Sequence, residues 1–363
     1  MRFLMKGRYG ILVKKQGFVM PRTRIFLSMI ALLFSSLACA TLMGEDPYYD
    51  ETYYSDEETE ILTEEAPPQE NDPGSPQSLT CPVVTDAILE AALTPGESET
   101  EEMDGEIYLV TYSVNGDELF DPYYEDVSAD LEDEQMDESA HREIWDQFSS
   151  LIPAQHRSMI AEYSIFTDGA DNVLAAVAQT QSDPSTWSLQ VDIADISDPY
   201  NLTFTLIHEY GHLLTLGPDQ VPPSLAIFNN PEDEDIYFQE ASACPNYFPG
   251  EGCAEADSYI DDFYNEFWLD ISEEWNQVNL EEDDDAYYEA LDAFYAKYAD
   301  QFVTDYAATN PEEDIAESWT FFVLSPEPEG NTIADQKILF FYQYPELVEL
   351  RTEILKNVCV SLQ

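Results

Sequence analysis

Residues 198 to 218 read DPYNLTFTLIHEYGHLLTLGP. Asp198 is a residue type that caps helices, Pro199 suits a first helical turn and Gly217-Pro218 supplies a stop, so the stretch predicts one helix over 198–216. Residues four apart lie on the same face of such a helix. His208 and His212 can therefore offer two imidazoles to one point, with Glu209 beside them. This is the H-E-x-x-H spacing that holds a single zinc ion while the carboxylate takes a proton from the metal-activated water. Between Tyr200 and Leu216 no Asp, Glu, Lys or Arg other than Glu209 occurs, as expected of a helix buried beneath a cleft. The bland alternative is two satisfied histidines on an ordinary amphipathic helix, and these apolar flanks fit it poorly.

Strand signals precede this helix and helical signals follow it. Ile107 to Val114 (IYLVTYSV) runs into the turn signal Asn115-Gly116, and Tyr163 to Thr167 and Val173 to Thr180 also read as strands. Trp187, Leu189, Val191 and Ile193 alternate with Ser188, Gln190 and Asp192, the period of a strand with one buried face. That strand is the expected edge for an extended substrate to join. Residues 140–152 gather Ile144, Trp145, Phe148, Leu151 and Ile152 on one helical face before Pro153. Further helices are expected over 257–269, 284–298, 311–324 and 332–357, the last with a break near Pro345. The order predicts an α+β domain: a small N-terminal sheet, the H-E-x-x-H helix and a helical C-terminal half.

Two histidines leave a metal short of ligands. Six residues after His212 stands Pro218, not a third histidine, so a carboxylate from a later helix is required. The best segment is YAATNPEEDIAESW, residues 306 to 319. Asn310 can cap and Pro311 can start a helix on which Glu313 and Glu317 stand one turn apart. One of the two can bind the metal while the other accepts the free N–H of a ligating histidine. Glu313 also has a plain reading, as the third position of a capping box begun by Asn310. His141 and His156 lie beside Arg142 and Arg157 in polar surroundings and are expected at the surface.

The two segments together resemble the zincin metallopeptidases, and among them the anthrax lethal factor-like peptidases and the Pro-Pro endopeptidases. The likeness lies in the H-E-aromatic-G-H form of residues 208–212 and in a tyrosine, Tyr306, set before a T-N-x-x-E-x-x-A-E run at 309–317. It implies a gluzincin-type metallopeptidase domain with one zinc per chain, held by His208, His212 and Glu313. It further implies Glu317 as support for a ligand, Glu209 as general base, Tyr306 as the phenol on the oxyanion, and a protein or peptide substrate. The likeness is confined to these segments, and the long stretch between them includes CPNYFPGEGC at 244–253. Tyr306, one of 23 tyrosines, reads otherwise as a packed aromatic at a turn between helices.

The chain has 363 residues, with 13 Lys and Arg against 75 Asp and Glu. A polyanion of this size cannot gather the basic clusters that phosphate backbones require, which excludes nucleic acid as a partner. A hydrophobic content of 44% is enough for a real core. Seven of the basic residues fall within 1–39, where no acidic residue occurs, ahead of the uncharged run IFLSMIALLFSSLA at 25–38. This reads as an export signal, and Met20 can serve as its start. Ser36-Leu37-Ala38-Cys39 resembles a bacterial lipobox with Cys39 as the lipidated residue, Ala38-Cys39-Ala40 reads as a cleavage site, and 25–44 is just long enough to remain as a membrane anchor. Residues 40–80, acidic and rich in Pro and Ser, read as a solvated tether.

Beyond the signal stand Cys81, Cys244, Cys253 and Cys359, an even number that in an exported chain favours disulfides. Cys244 and Cys253 bracket a Pro/Gly turn and invite a local bridge, which leaves Cys81 with Cys359; two other pairings satisfy the count as well. The expected organisation is a signal over 1–39, a tether over 40–80 and a metallopeptidase-like domain over 81–363. After loss of the signal, six basic residues face 75 acidic ones. That balance should draw basic peptides toward a cleft. The rival reading is a non-catalytic zinc-binding or polyanionic protein of the cell envelope.

Overall fold

A computed structural model of the chain describes residues 81–93, 106–169, 173–194, 196–281 and 283–362. The export signal and the tether lie outside the described residues. The fold is α+β. Strands β1 (Ile107–Asn115), β2 (Glu118–Tyr124), β3 (Ile160–Thr167), β4 (Ala175–Gln179) and β5 (Trp187–Asp192) form one sheet in the order β2-β1-β3-β5-β4. β1 pairs antiparallel with β2 and β3, β3 runs parallel to β5, and β4 closes the sheet antiparallel to β5.

The placement of β5 corrects one expectation: Trp187 to Asp192 is an interior strand, and the neighbouring edge is β4. Alternation of apolar and polar residues reports a buried face and carries no information on lateral neighbours. β2 was not expected at all, because Asp121-Pro122 interrupts its pattern. As the outer strand it tolerates both, Asp121 taking φ 47° beside a register shift opposite Thr111 and Ser113. Gly116, at φ 62°, takes the first central position of the two-residue loop joining β1 to β2.

Helix α1 (Pro82–Ala92) packs on the long helix α3 (Pro199–Leu216), which lies against β4, while α2 (Glu138–Leu151) covers β1 and β3. Asp137 caps α2, and Ile144, Trp145 and Phe148 of α2 are fully or almost fully buried, Trp145 lying 5.3 Å from the Tyr163 ring of β3. His141 lies in this layer too, fully buried and not at the surface as expected. Its Nδ1 meets the Tyr112 hydroxyl at 2.9 Å and its Nε2 meets the Glu134 carbonyl at 2.8 Å. Both ring nitrogens are thus satisfied by the core. His156 is half-exposed and 3.8 Å from Glu353.

Beyond Asp192 every described element is helical: α3, α4 (Glu234–Ala243), α5 (Tyr259–Phe263), α6 (Ser272–Val278), α7 (Asp284–Tyr298), α8 (Pro311–Leu324), α9 (Ile333–Phe340) and α10 (Pro345–Ser361), with a five-residue helix at Leu225–Asn229 and shorter turns between. The helix expected over 257–269 is shorter than that, α5 widening into a π-turn over Tyr264–Trp268. The break expected near Pro345 separates α9 from α10. α1, α4 and α6 were not anticipated.

Two disulfides staple the domain. Cys81, at the start of α1, joins Cys359 near the end of α10, and Cys244 joins Cys253. The first closes a separation of 278 residues, so it restricts the unfolded chain far more than the second, which spans nine. Such bridges persist in oxidising compartments, in keeping with an exported protein. Among the described residues no helix is long and apolar enough to cross a membrane.

Candidate metal centre

α3 and α8 are the two most deeply embedded helices, and they lie against each other. Each is started as its sequence suggests. Asp198 accepts the N–H groups of Tyr200 and Asn201 ahead of Pro199, and Asn310 accepts the N–H of Glu313 at 2.8 Å ahead of Pro311. Close approach is possible because residue 211 has no side chain. A Cβ there would meet Trp319 Cδ1 at 3.0 Å and Ala316 Cα at 3.1 Å. Gly211→Ala is therefore expected to force the two helices apart by a few tenths of an ångström at a cost of about 1–3 kcal/mol. Denaturant titration checks this, and a loss under about 0.5 kcal/mol would show that the seam has slack.

The approach brings His208 and His212 of α3 onto Glu313 of α8. His208 Nε2 is 3.0 Å from Glu313 Oε2, His212 Nε2 is 3.4 Å from the same oxygen, and the two Nε2 atoms are 3.1 Å apart. All three residues are nine-tenths or more buried. These atoms form a group that can hold a metal ion. A tetrahedral ion with bonds of about 2.0–2.1 Å requires donor-to-donor edges of about 3.3 Å, close to the triangle observed. The donor chemistry agrees. Two imidazole nitrogens and a carboxylate oxygen turned toward one point each offer a lone pair that a single cation can take.

Glu317, one turn along α8, lies behind His208. Its Oε1 is 2.9 Å from His208 Nδ1, and its Oε2 accepts the Thr304 hydroxyl at 2.7 Å. A carboxylate at Nδ1 fixes the proton there and turns the lone pair of Nε2 toward the metal position. Of the two glutamates that the sequence left open, Glu313 thus faces the pair of Nε2 atoms and Glu317 faces the back of one ring. Among the described residues no equivalent partner reaches His212, whose buried Nδ1 has no hydrogen bond.

Burial raises the Glu313 carboxyl, but His212 and His208 more than offset it and hold the group well below the usual carboxylate range. Burial likewise disfavours charge on His208, and the hydrogen bonds and charges of Glu313 and Glu317 outweigh that, so its proton is held strongly. Glu209 is buried beside them and is pushed up to about 7, burial and Glu313 raising it while the two imidazoles and a backbone hydrogen bond from Val177 pull it down. Tyr306 sits in the short turn Tyr306–Ala308 that precedes α8, its ring centre 5.9 Å from that of His208. Its hydroxyl hydrogen-bonds Glu313, and burial with the surrounding carboxylates keeps it protonated.

Val177 belongs to β4 and had no signal in the sequence. Leu174 accepts from Asp192 and Thr180 donates to Thr186, so even-numbered backbone groups turn toward β5 while odd-numbered ones, Val177 among them, turn outward. The outer edge of β4 therefore faces Glu209. Thr304 was missed as well, though a threonine ahead of a short turn is a known local hydrogen-bonding device.

The structure thus brings together His208, Glu209, His212, Tyr306, Glu313 and Glu317, and it sets His141 and His156 apart from them. No protein-family model matches the chain, and no curated protein or solved structure is significantly similar to it.

Proposed function

We propose that the protein is an exported zinc-dependent endopeptidase of the zincin type, hydrolysing peptide bonds with one zinc per chain. The observation that carries this reading is the convergence of His208 Nε2, His212 Nε2 and Glu313 Oε2 on one buried point with Glu209 alongside. A zinc ion bound by these three residues would supply the positive charge that acidifies a water and polarises a peptide carbonyl. Glu209 takes the proton of the attacking water and returns it to the leaving amine. Tyr306 donates its phenolic hydrogen to the carbonyl oxygen as negative charge builds there. Glu317 holds the Nδ1 proton of His208 throughout. An extended substrate adds to the outer edge of β4, where the odd-numbered backbone groups are turned toward Glu209. The acidic surface favours basic peptides, and export through residues 1–39, with Cys39 lipidated to a membrane, belongs to the same proposal.

Elemental analysis combined with digestion of a peptide library tests it. About one zinc per chain is expected, with cleavage that a chelator abolishes and zinc restores. Among the cleaved peptides, Lys/Arg-rich ones should be preferred at low salt, the preference shrinking as ionic strength rises. Stoichiometric zinc without cleavage of any peptide would leave a binding protein, and cleavage by metal-free protein would remove zinc from the mechanism.

A further inference from the structure

We infer that Thr304 is a positioning residue whose single hydroxyl aligns the two halves of the centre, the ring of His208 and the turn carrying Tyr306; this rests on the peptidase reading above. Thr304 lies outside both motif segments, in the approach to α8. Its Oγ1 donates to Glu317 Oε2 at 2.7 Å, and the other oxygen of that carboxylate meets His208 Nδ1 at 2.9 Å. The same Oγ1 accepts the N–H of Ala307 at 3.1 Å, which fixes the turn in which Tyr306 stands. A carboxylate can only accept and an amide N–H can only donate. The hydroxyl proton must therefore point at Glu317, leaving a lone pair for Ala307, so both contacts are set by one rotor.

The rest of the turn is held independently of the centre. Asp305 accepts the N–H of Tyr306 at 2.9 Å, and the Trp275 indole donates to the Thr309 carbonyl at 2.8 Å. Thr304 is thus the one described side chain that hydrogen-bonds both the carboxylate behind His208 and the backbone beside Tyr306. Displacing it would tilt an imidazole and shift a phenol together, and a misplacement of about 1 Å is enough to slow a positioned reaction.

Thr304→Val keeps the shape and removes the hydroxyl, whereas Thr304→Ser keeps the hydroxyl and removes the methyl. The measurements are zinc affinity, by competition with a chromophoric chelator, and steady-state peptide hydrolysis. For Thr304→Val we expect zinc affinity to fall about 10-fold, the low end for loss of groups that orient a ligand. With zinc saturating, kcat should fall by about another 10-fold while KM stays within about 2-fold, the pattern of an interaction made in the transition state. Thr304→Ser should stay within about 3-fold of wild type on both. Thr304→Ala replaces the valine variant should circular dichroism show that one misfolded. Equal zinc affinity and kcat in the valine, serine and wild-type proteins would overturn the inference. Equal losses in valine and serine variants would overturn it too, by assigning the effect to the methyl group. A wild-type protein that neither binds zinc nor cleaves peptide fails the peptidase reading instead, and takes this inference with it.

Discussion

Glu209→Gln is expected to lower kcat/KM for peptide hydrolysis by about 10³–10⁴-fold while leaving zinc at about one per chain. Glutamine keeps the size of the side chain and can still face the Val177 N–H through its carbonyl oxygen, so the walls of the site should hold their shape. What it cannot do is accept a proton. Glu209 touches neither Nε2 in the hydrogen-bond pattern of the centre, which runs through His208, His212 and Glu313. Metal content and turnover should therefore separate cleanly in this variant. Retention of full activity would mean that another base serves and that the role given to Glu209 is wrong. Loss of zinc along with activity would mean that Glu209 belongs to the ligand set.

The parts of this centre that were legible in the sequence are those for which helical geometry converts spacing directly into position. His208 and His212, like Glu313 and Glu317, stand four apart on helices whose caps and prolines could be read, and both helices begin where expected. That the two helices would meet was not readable from either one. Gly211 gives the physical reason they can, but only once Trp319 and Ala316 are known to lie opposite. The sheet marks the limit from the other side. The alternation of β5 was seen, yet its interior place depends on β4 folding back to become the edge, a non-local fact. His141 was misplaced for a related reason: its neighbours in sequence are polar, while its partners, Tyr112 and Glu134, come from β1 and from a turn before α2.

Lys337 gives the extreme case, and with it the largest expected effect on stability. Nothing in IADQKILF marks its lysine as a core residue, yet it is fully buried in α9. Its Nζ lies 2.5 Å from Asp314 of α8 and 4.1 Å from the Phe302 ring centre, with Phe263, Phe267 and Trp268 about it. Asp314 also accepts from the Trp268 indole at 2.7 Å, so the carboxylate next to Glu313 in the chain is tied to α9 and to the π-turn after α5. Burial pushes Asp314 up to about 6 against the pull of Lys337, and it lowers Lys337 in turn. Each charge is tolerated here only because of the other.

Lys337→Met, which fills the aromatic cage with an apolar chain, is expected to destabilise the protein by about 3–5 kcal/mol by leaving Asp314 buried and uncompensated. Asp314→Asn should cost a similar amount from the other side. The double variant should cost clearly less than the two together, because it buries no lone charge and an uncharged pair can be nearly neutral at such sites. Denaturant midpoints at unchanged slope, measured with both disulfides intact, give the cycle. Strict additivity of the two losses would mean that the charges do not depend on one another. A loss below about 1 kcal/mol for Lys337→Met would mean that water reaches Asp314. Either result would free α8 from the anchor assigned to it, and the placing of Glu313 would then rest on α3 and the Thr304 turn alone.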